Sequence, residues 1–352
     1  MGARDFLTGL QDNRFYRDPV EHRKLVCRVL RVDESTWCQA IDEYGRRQEA
    51  GDAGIRLQIL SEAWDTCSPH TATVPLAARP STCPICLQLA VTAVHSRTSG
   101  EIYGLCACCG HGVLLSTPST AAVYSQADYY ERRSNGGVGY DAYRDERSYR
   151  EAKAEKLLNW VEESAGPITS MLEVGSGYGF SRAAANKRGW QTMGVDLNPA
   201  AAAAASQIYG MKTFTGTLEQ ALVSGAVLPG AWEVVLYQFV LEHISDPVAE
   251  LRHAAAACAP KGCITLLVPS MQAIERVVFG ASYRSFRPDH LHLFSWRSLD
   301  KCLSKAGLRR IASRSECSVH LLAEFLTQQE LAALYERGDG PDLVAIATKE
   351  SL

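Results

Sequence analysis

The fold is decided by Met171–Pro199, with the sequence MLEVGSGYGFSRAAANKRGWQTMGVDLNP. Its apolar start, Met171–Val174, predicts a short buried strand, and three alternate glycines then predict a sharp turn that leaves room for a ligand beside the backbone. Helix-forming residues follow over Ser181–Arg188, and a second strand over Thr192–Val195 delivers Asp196 to its carboxyl end. A carboxylate in that position suits the two hydroxyl groups of a ribose.

The spacing of the glycines indicates which ligand the turn accepts. A dinucleotide pattern, G-x-G-x-x-G, needs a small residue at the position that Phe180 occupies. The segment reads instead E-x-G-x-G-x-G from Glu173, and together with VDLNP this resembles motif I of the class I S-adenosylmethionine-dependent methyltransferases. The alternative is an ordinary tight turn in another α/β protein. The resemblance implies that the cofactor is bound by Glu173, Gly175, Gly177, Gly179, Asp196 and Leu197.

The composition is that of a soluble globular chain with more than one domain. The 352 residues are 46% hydrophobic and 21% charged, with a net charge of −3. This charge gives no electrostatic footprint for nucleic acid and favours a small-molecule substrate. The sequence has no run of about 20 apolar residues and no apolar core of a signal peptide at its start, so we expect a cytoplasmic protein. In that compartment the twelve cysteines are expected to be thiols or metal ligands.

Residues 1–78 are predicted to form a helical appendage. Apolar spacing indicates helices over 20–32, 37–47 and 55–64. The appendage is interpreted as a packing or homodimerisation module, and a substrate lid is the alternative. Prolines at 69, 75 and 80 indicate a linker over Ser68–Ser81.

A cysteine-rich segment follows over residues 79–118. Cys83-Pro-Ile-Cys86 and Cys106-Ala-Cys108-Cys109 are two knuckles separated by nineteen residues. The pairs Cys83–Cys86 and Cys106–Cys109 have matching gaps, as a structural Zn²⁺ ion requires, and Cys108 is left as a spare thiol. A closed site of four cysteines stabilises a zinc ribbon and performs no chemistry, and chance clustering is the alternative.

The connector, residues 119–143, is rich in tyrosine and includes Tyr129 and Tyr130. Tyrosine combines an apolar face with a hydroxyl group, so these side chains suit the wall of a polar substrate site; docking of the ribbon on the core is an equally good interpretation. A ribbon, a Tyr-Tyr segment and motif I occur together in a subgroup that includes deoxysugar C-methyltransferases of antibiotic pathways. This resemblance covers residues 82–349 and implies that both tyrosines contribute to catalysis.

The remaining segments predict a doubly wound α/β core over residues 144–352. A charged helix over Asp145–Ser164 opens the core, and an alanine-rich helix, a strand over Met211–Thr215 and a buried strand over Trp232–Phe239 follow motif I. Later segments predict a helix over Val248–Cys258, strands over Cys263–Val268, Arg309–Ser318 and Asp342–Thr348, and a helix capped by Ser295. The last two strands are expected to form an antiparallel edge pair. By the family resemblance, the cofactor is also contacted by Thr217, Leu218, Glu219 and Gln238; Thr217 is equally a helix cap.

The chemistry is predicted at the end of the Trp232 strand. Val240-Leu-Glu242-His243-Ile-Ser-Asp-Pro247 resembles the LEH-x-x-DP segment of the family, and it implies His243 as the general base with Glu242 beside it. A helix-start histidine satisfied by backbone is the alternative. The chain departs from the family at Glu233, where Asp is usual, and at Phe239, where His is common. His290 is a further candidate, and His290 with His292 makes only a weak metal site.

Two functions are consistent with this sequence. The first is an S-adenosylmethionine-dependent methyltransferase acting on a small polar metabolite, with carbon methylation in natural-product biosynthesis favoured over transfer to oxygen or nitrogen. The second is a binding or scaffold protein whose zinc ribbon recruits a partner and whose cofactor site is vestigial.

Overall fold

The computed structural model describes residues 82–88, 91–96, 101–115, 121–131, 139–140, 143–273, 275–276, 283–316 and 340–350, with single positions at 35, 332, 335, 336 and 338. The predicted helices of the appendage and the linker over 68–81 lie outside the described residues. None of the helices in the described part of the chain has the length and hydropathy needed to span a bilayer.

Eleven strands and six α-helices are assigned in these residues. The strands are β1 (Val91–Ser96), β2 (Ile102–Cys106), β3 (Gly112–Leu114), β4 (Ser170–Val174), β5 (Gln191–Asp196), β6 (Thr213–Thr215), β7 (Trp232–Gln238), β8 (Cys258–Pro269), β9 (His292–Leu293), β10 (Leu308–Glu316) and β11 (Asp342–Lys349). The helices are α1 (Arg147–Ala165), α2 (Phe180–Lys187), α3 (Pro199–Tyr209), α4 (Leu218–Val223), α5 (Pro247–Ala257) and α6 (Trp296–Lys305). Short 3₁₀ turns span Ala121–Ser125, Tyr143–Glu146 and Leu241–His243.

The chain divides into two compact units. The first comprises residues 1–117, 269–298 and 314–343, and the second comprises 118–268, 299–313 and 344–352. This grouping differs from the boundaries predicted above because β9 pairs with β3, which joins the segment after β8 to the cysteine-rich sheet. The two units are described separately below.

The second unit is built on a parallel sheet. Strands in the seven-stranded sheet follow the order β10, β11, β8, β7, β4, β5, β6. β4 pairs in parallel with β5 and with β7, while β5 pairs with β6 and β7 with β8 in the same sense. The chain therefore winds outward from β4 in one direction and continues from β7 in the other. This confirms the predicted doubly wound core, and it places the switch point, where such sheets bind ligands, between β4 and β7.

The core of the second unit explains why these strands are largely apolar. All five residues of β4 and most of β7 are buried, as expected for a parallel sheet covered on both faces. Helix α1 packs against α2. Its buried side chains share one cluster with the sheet, which includes Leu157, Leu158, Val161, Met171, Ala184, Trp190, Val234, Leu236, Leu267, Val344 and Ile346.

Two predicted boundaries in this unit are wrong. Met211 does not open the third strand, because its N–H bonds back to Ala205 O of α3 at 3.4 Å and the strand begins at Thr213. The strand after α5 begins at Cys258 rather than Cys263. An irregularity in its pairing with β7 absorbs the additional residues, since Trp232 pairs with Cys258 and Val234 with Cys263.

The first unit contains an antiparallel sheet in the order β1, β2, β3, β9. Tyr103 of β2 is fully buried, and its hydroxyl donates to the backbone oxygens of Arg287 and His290, both at 2.6 Å. The side chains around it form a small core of Leu105, Met271, Ala273, Tyr283, Phe286 and Leu293. Ser295 caps α6 as predicted, because its Oγ accepts from Ser298 N at 3.0 Å.

Candidate active site

The turn after β4 adopts a backbone that favours glycine at three positions. Gly175, Gly177 and Gly179 have φ values of 67°, 49° and 82°. At Gly175 the space is also closed, because an added Cβ would lie 2.2 Å from Cγ2 of Val240. The turn is fixed to the neighbouring strand, since Gly175 N donates to Val195 O at 2.8 Å. The glycines therefore serve both the turn and its close packing against the segment after β7.

Asp196 lies at the carboxyl end of β5, beside this turn. Its Oδ2 accepts from Gly177 N at 2.7 Å, and its Oδ1 accepts from Asn198 N at 2.8 Å. The side chain is buried, and burial raises the pKa of the carboxyl group. Tyr130 O–H also reaches Oδ2, at 3.5 Å. The carboxylate is thus oriented by two backbone amides before any ligand binds.

Glu173 and Gln238 lie side by side on β4 and β7. Gln238 Nε2 donates to Glu173 Oε1 at 3.2 Å and also to Ser181 Oγ. Glu173 is buried, which raises the pKa of its carboxyl group to about 7. The two side chains that the sequence assigned to the cofactor therefore belong to one hydrogen-bonded group beneath the glycine turn.

The segment after β6 is a capped helix start. Thr217 Oγ1 accepts from Gln220 N at 3.1 Å, and Gln220 Oε1 accepts from Thr217 N at 2.9 Å, which makes the predicted cap a full capping box. Leu218 is buried, whereas Thr217 and Glu219 are exposed. Leu197 is also exposed. A ligand at this edge would therefore meet Leu218 through its backbone rather than its side chain.

The chain after β7 passes through a strained residue into the Glu-His segment. Phe239 has φ of 55°, which is unusual for a residue with a bulky side chain and occurs where surrounding structure imposes it. Glu242 is fully buried, and His243 is partly exposed. His243 Nε2 lies 4.0 Å from Glu242 Oε1, and His243 Nδ1 lies 3.0 Å from the hydroxyl of Tyr124.

Tyrosines of the connector form a chain of ring contacts from His243 to Asp196. The ring centroids of Tyr124 and His243 are 5.3 Å apart, those of Tyr124 and Tyr129 are 5.6 Å apart, and those of Tyr129 and Tyr130 are 5.0 Å apart. Tyr130 then contacts Asp196 through its hydroxyl. The structure thus brings together the Glu-His pair, the Tyr-Tyr pair and the acid after β5 within one unit.

Asn198 fastens the connector to this site. It caps α3 through its side-chain oxygen, which accepts from Ala200 N and Ala201 N. Its side-chain amide donates to the backbone oxygens of Tyr124 and Gln126, both at 2.9 Å. Because Asn198 follows Asp196 by two residues, the position of Tyr124 is linked to that of the acid.

Four cysteines converge in the first unit. Sγ of Cys83 lies 3.7 Å from Sγ of Cys109, and Sγ of Cys86 lies 3.6 Å from Sγ of Cys106. All four sulfur atoms lie within 4.8 Å of one another, and none is in a disulfide. A tetrahedral zinc site with Zn–S bonds of about 2.3 Å has sulfur–sulfur edges of about 3.8 Å. The donor set and spacing therefore fit Zn²⁺, and Cys108 is not a member of the cluster.

His290 and His292 also belong to the first unit and serve different contacts there. His290 Nδ1 lies 2.9 Å from Ser285 O. His292 Nδ1 lies 3.0 Å from His111 Nε2, and His111 is fully buried. Burial lowers the pKa of His111 well below its usual value, so this imidazole is neutral at physiological pH.

Known proteins identify the central part of the chain. The segment 140–313 matches the protein family described as methyltransferase domain. Residues 140–313 are a methyltransferase domain. The doubly wound sheet, with the glycine turn after β4 and the acid after β5, is the fold of the class I S-adenosylmethionine-dependent methyltransferases.

Relatives of this chain include ubiquinone biosynthesis O-methyltransferases. The Leptothrix cholodnii protein is 27% identical over 115 residues, which are 31% of this chain and 48% of that protein. The Bordetella pertussis protein is 29% identical over 133 residues, 36% and 55% of the respective chains. The chain spans about half the length of these curated relatives. Among solved structures, the Burkholderia thailandensis 1,6-didemethyltoxoflavin-N1-methyltransferase, with bound 1,6-didemethyltoxoflavin and S-adenosylhomocysteine, has a TM-score of 0.46 and 15% identity, covering 74% of this chain and 100% of that one.

Three side chains of the second unit escaped the sequence reasoning. Tyr124 stood in the recognised tyrosine segment, but nothing in the sequence paired it with His243. Asn198 precedes a proline at the start of a helix, a pattern that predicts a cap but not a clamp on a distant loop. Arg182 is a fully buried cation within α2, and its only sequence signal is a charge inside a run of small and apolar residues.

Proposed function

We propose that this chain binds S-adenosylmethionine and transfers its methyl group to a small polar metabolite, with His243 as the general base. One observation carries the proposal. The glycine turn, Asp196 and the Tyr124–His243 pair lie at the carboxyl ends of the adjacent strands β5, β4 and β7 and are joined by direct contacts. This is the edge of an open α/β sheet where ligands bind.

The residues present fit the cofactor. At Gly175 the space that a Cβ would take is filled by Val240, so glycine there keeps the turn packed closely against the segment after β7. Asp196 is held by backbone amides with lone pairs remaining for ribose hydroxyls. Thr217, Leu218, Glu219 and Leu197 line the edge proposed for the adenine. When bound, S-adenosylmethionine supplies an electrophilic methyl group on a sulfonium sulfur.

The protein must align the acceptor and remove its proton, and His243 suits this task. Histidine titrates near neutral pH, and a positioned base contributes about 10²- to 10⁴-fold to a rate. The hydroxyl of Tyr124 at Nδ1 fixes the ring plane, and Nε2 faces Glu242. A Tyr124 hydroxyl that accepts from Nδ1–H leaves Nε2 able to take the proton.

The other candidates support His243 in different ways. Burial raises the pKa of Tyr130 well above its usual value, so its phenol stays protonated at neutral pH and acts as a hydrogen-bond donor. Tyr129 is buried between Tyr124 and Tyr130 and shapes the wall of the site. His290 belongs to the other unit and is kept as a reserve base.

For the acceptor we favour a carbon atom of a natural-product intermediate, such as a deoxysugar of an antibiotic. The Tyr-Tyr and Glu-His pairs, in a chain that also carries a cysteine ribbon, support this choice. The curated relatives named above are O-methyltransferases, so transfer to oxygen, or to nitrogen, is the competing reaction. A scaffold protein with a vestigial site is the alternative outside catalysis, and the fixed orientation of Asp196 argues against it.

We also propose that Cys83, Cys86, Cys106 and Cys109 hold one structural Zn²⁺ ion. The four sulfur atoms lie within 4.8 Å of one another, and a bound cation would favour the thiolate form of these clustered thiols, which is the form that ligates zinc. The closed set of four thiolates leaves no position for substrate. The metal then stabilises the ribbon, and residues 1–78 are assigned to packing or homodimerisation.

Calorimetric titration with S-adenosylhomocysteine tests the cofactor claim, and transfer from labelled S-adenosylmethionine into metabolite extracts, read by mass spectrometry, tests the reaction. His243→Ala should keep the affinity for S-adenosylhomocysteine and lower turnover by about 10²- to 10⁴-fold. His253→Ala is the matched control, because His253 lies on α5 and contacts Glu250 rather than the site. If His243→Ala and His253→Ala both turn over at the rate of the wild type, the base is another residue. Absence of binding, together with no effect of Asp196→Ala, would overturn the function.

A further inference from the structure

Arg182 is a cation buried beneath the glycine turn. Its side chain is fully buried on α2. Nη1 donates to Lys212 O at 2.8 Å, and Nη2 donates to Thr213 Oγ1 at 2.8 Å. Nε lies 3.9 Å from Oε2 of Glu173, and within the described residues neither of these two atoms has a hydrogen-bond partner. The guanidinium group thus uses one edge to hold the start of β6 and turns the other toward an acid of β4.

The chain leaves space for this guanidinium at two glycines. A Cβ at Gly194 would lie 2.5 Å from Cζ of Arg182, and a Cβ at Gly179 would lie 3.0 Å from Nη2. Gly194 does not have a positive φ, and a side chain there would meet both the guanidinium of Arg182 and Oγ of Ser176, the latter at 2.6 Å. The glycine of β5 and the cation of α2 therefore form one structural arrangement.

Two carboxyl groups interact with the charge of this cation: Glu173, at 3.9 Å, and Asp196. Burial raises the pKa of both Glu173 and Asp196, the charge of Asp196 raises the pKa of Glu173 further, and the charge of Arg182 lowers both pKa values. The other groups that face them are uncharged donors: Gln238 and Ser181 at Glu173, and Tyr130 with two backbone amides at Asp196. Tyr143 is a nearby phenol whose pKa burial raises, so it stays neutral. Arg182 is thus a positively charged group that lowers the pKa of both acids.

We propose that Arg182 is a positioning residue for the cofactor, whose buried charge favours the ionised form of the Glu173 and Asp196 carboxyl groups, the form that accepts hydrogen bonds from the ligand. The inference rests on the proposed function, because it assigns the ligand of these acids. A protonated carboxyl group would present a donor where ribose hydroxyls need acceptors. A residue with a merely structural role would affect the stability of the fold but not the pH dependence of binding.

The test compares Arg182→Gln, which removes the charge, with Arg182→Lys, which keeps it. At pH 7 the Gln variant should bind S-adenosylhomocysteine about 10- to 100-fold more weakly, since each unit by which a carboxyl pKa exceeds the pH lowers the ionised fraction tenfold. This deficit should shrink as the pH is raised to 9. The Lys variant should keep the pH profile of the wild type. Thr213→Val is the matched control, because it removes one acceptor of Arg182 without removing charge, and its profile should run parallel to that of the wild type.

Thermal unfolding between pH 6 and 9 gives a second measurement that needs no ligand. Burial raises the pKa of Glu173 in the folded protein to about 7 from its ordinary value of 4.5, so this group makes the fold less stable as the pH rises from about 4.5 to about 7. Without Arg182 the folded pKa is higher still, and the loss of stability continues to a higher pH. The difference in melting temperature between wild type and Arg182→Gln should therefore widen with pH, opposite to the trend of the affinity deficit.

The outcomes separate this inference from the function. A wild-type protein that does not bind S-adenosylhomocysteine would overturn the proposed function, and a constant difference in melting temperature would overturn the electrostatic role of Arg182. Parallel affinity profiles for wild type and Arg182→Gln would also overturn it. If Arg182→Gln does not fold, Glu173→Gln added to it should restore folding, because the acid no longer needs a cation. A double variant that remains unfolded would refute the charge pairing.

Discussion

Replacing Gly175 by alanine tests whether the glycine turn and the Glu-His segment are packed as one body. The new Cβ would lie 2.2 Å from Cγ2 of Val240, and the residue would keep φ of 67°. A non-glycine residue in the left-handed region costs roughly 1–2 kcal/mol, and overpacking costs typically about 1–3 kcal/mol. We therefore expect a loss of about 2–5 kcal/mol in the free energy of unfolding, the sum of these two effects. Val240 directly precedes the 3₁₀ turn of Leu241–His243, so the clash also displaces the proposed base.

Urea denaturation followed by tryptophan fluorescence measures this loss, and calorimetry measures the affinity for S-adenosylhomocysteine. Val240→Ala removes the clashing atom and leaves the backbone strain. The double variant Gly175→Ala/Val240→Ala should therefore recover about 1–3 kcal/mol relative to the sum of the single changes. Additive losses would refute the packing argument. Full recovery would refute the backbone part, because the left-handed strain does not depend on Val240.

Further predictions concern the metal and the base. Cys109→Ser should release zinc and lower the melting temperature, whereas Cys108→Ser should do neither. Elemental analysis of the purified variants measures the zinc content. Zinc retained at full stoichiometry without Cys109 would contradict the ligand assignment. Tyr124→Phe should lower turnover and change its pH profile while the affinity for S-adenosylhomocysteine stays near that of the wild type, because the hydroxyl orients His243 rather than the cofactor. An unchanged pH profile of turnover would show that this hydrogen bond has no part in the proton transfer.

The fold was predictable from local sequence patterns because each pattern reflects a local physical requirement. The three glycines mark a turn with positive φ, and the apolar runs of β4 and β7 mark strands buried on both faces. Capping residues could be predicted equally well, since the side chain of Thr217 accepts a hydrogen bond from the backbone within its own turn. The pairing of β9 with the cysteine-rich sheet could not be predicted from the sequence. It depends on a pairing between β3 and a strand of two residues far along the chain, and a strand that short leaves no periodicity.

The candidate site was predictable only where its residues stand next to a motif. Asp196, Glu242 and His243 follow strands whose ends meet at one edge of a parallel sheet, so the topology alone brings them close. The partner of His243 comes from a segment 119 positions earlier, and no local rule specifies that contact. Arg182 was missed for a different reason. A charged residue on a helix is ordinarily assigned to solvent, and its burial becomes clear only when the space left by Gly194 is seen.

The link between the cofactor side and the base side of the site is carried by Asn198. Its side-chain oxygen is fully used in capping α3, and its amide is fully used in holding the backbone oxygens of Tyr124 and Gln126. A buried amide with all these partners is costly to rearrange, because moving the connector would leave polar atoms unsatisfied. The backbone amide of the same residue donates to Asp196. A shift of the carboxylate would therefore move the cap, the connector and the hydroxyl at His243 together, which makes the geometry of the proposed base dependent on the acid that holds the cofactor.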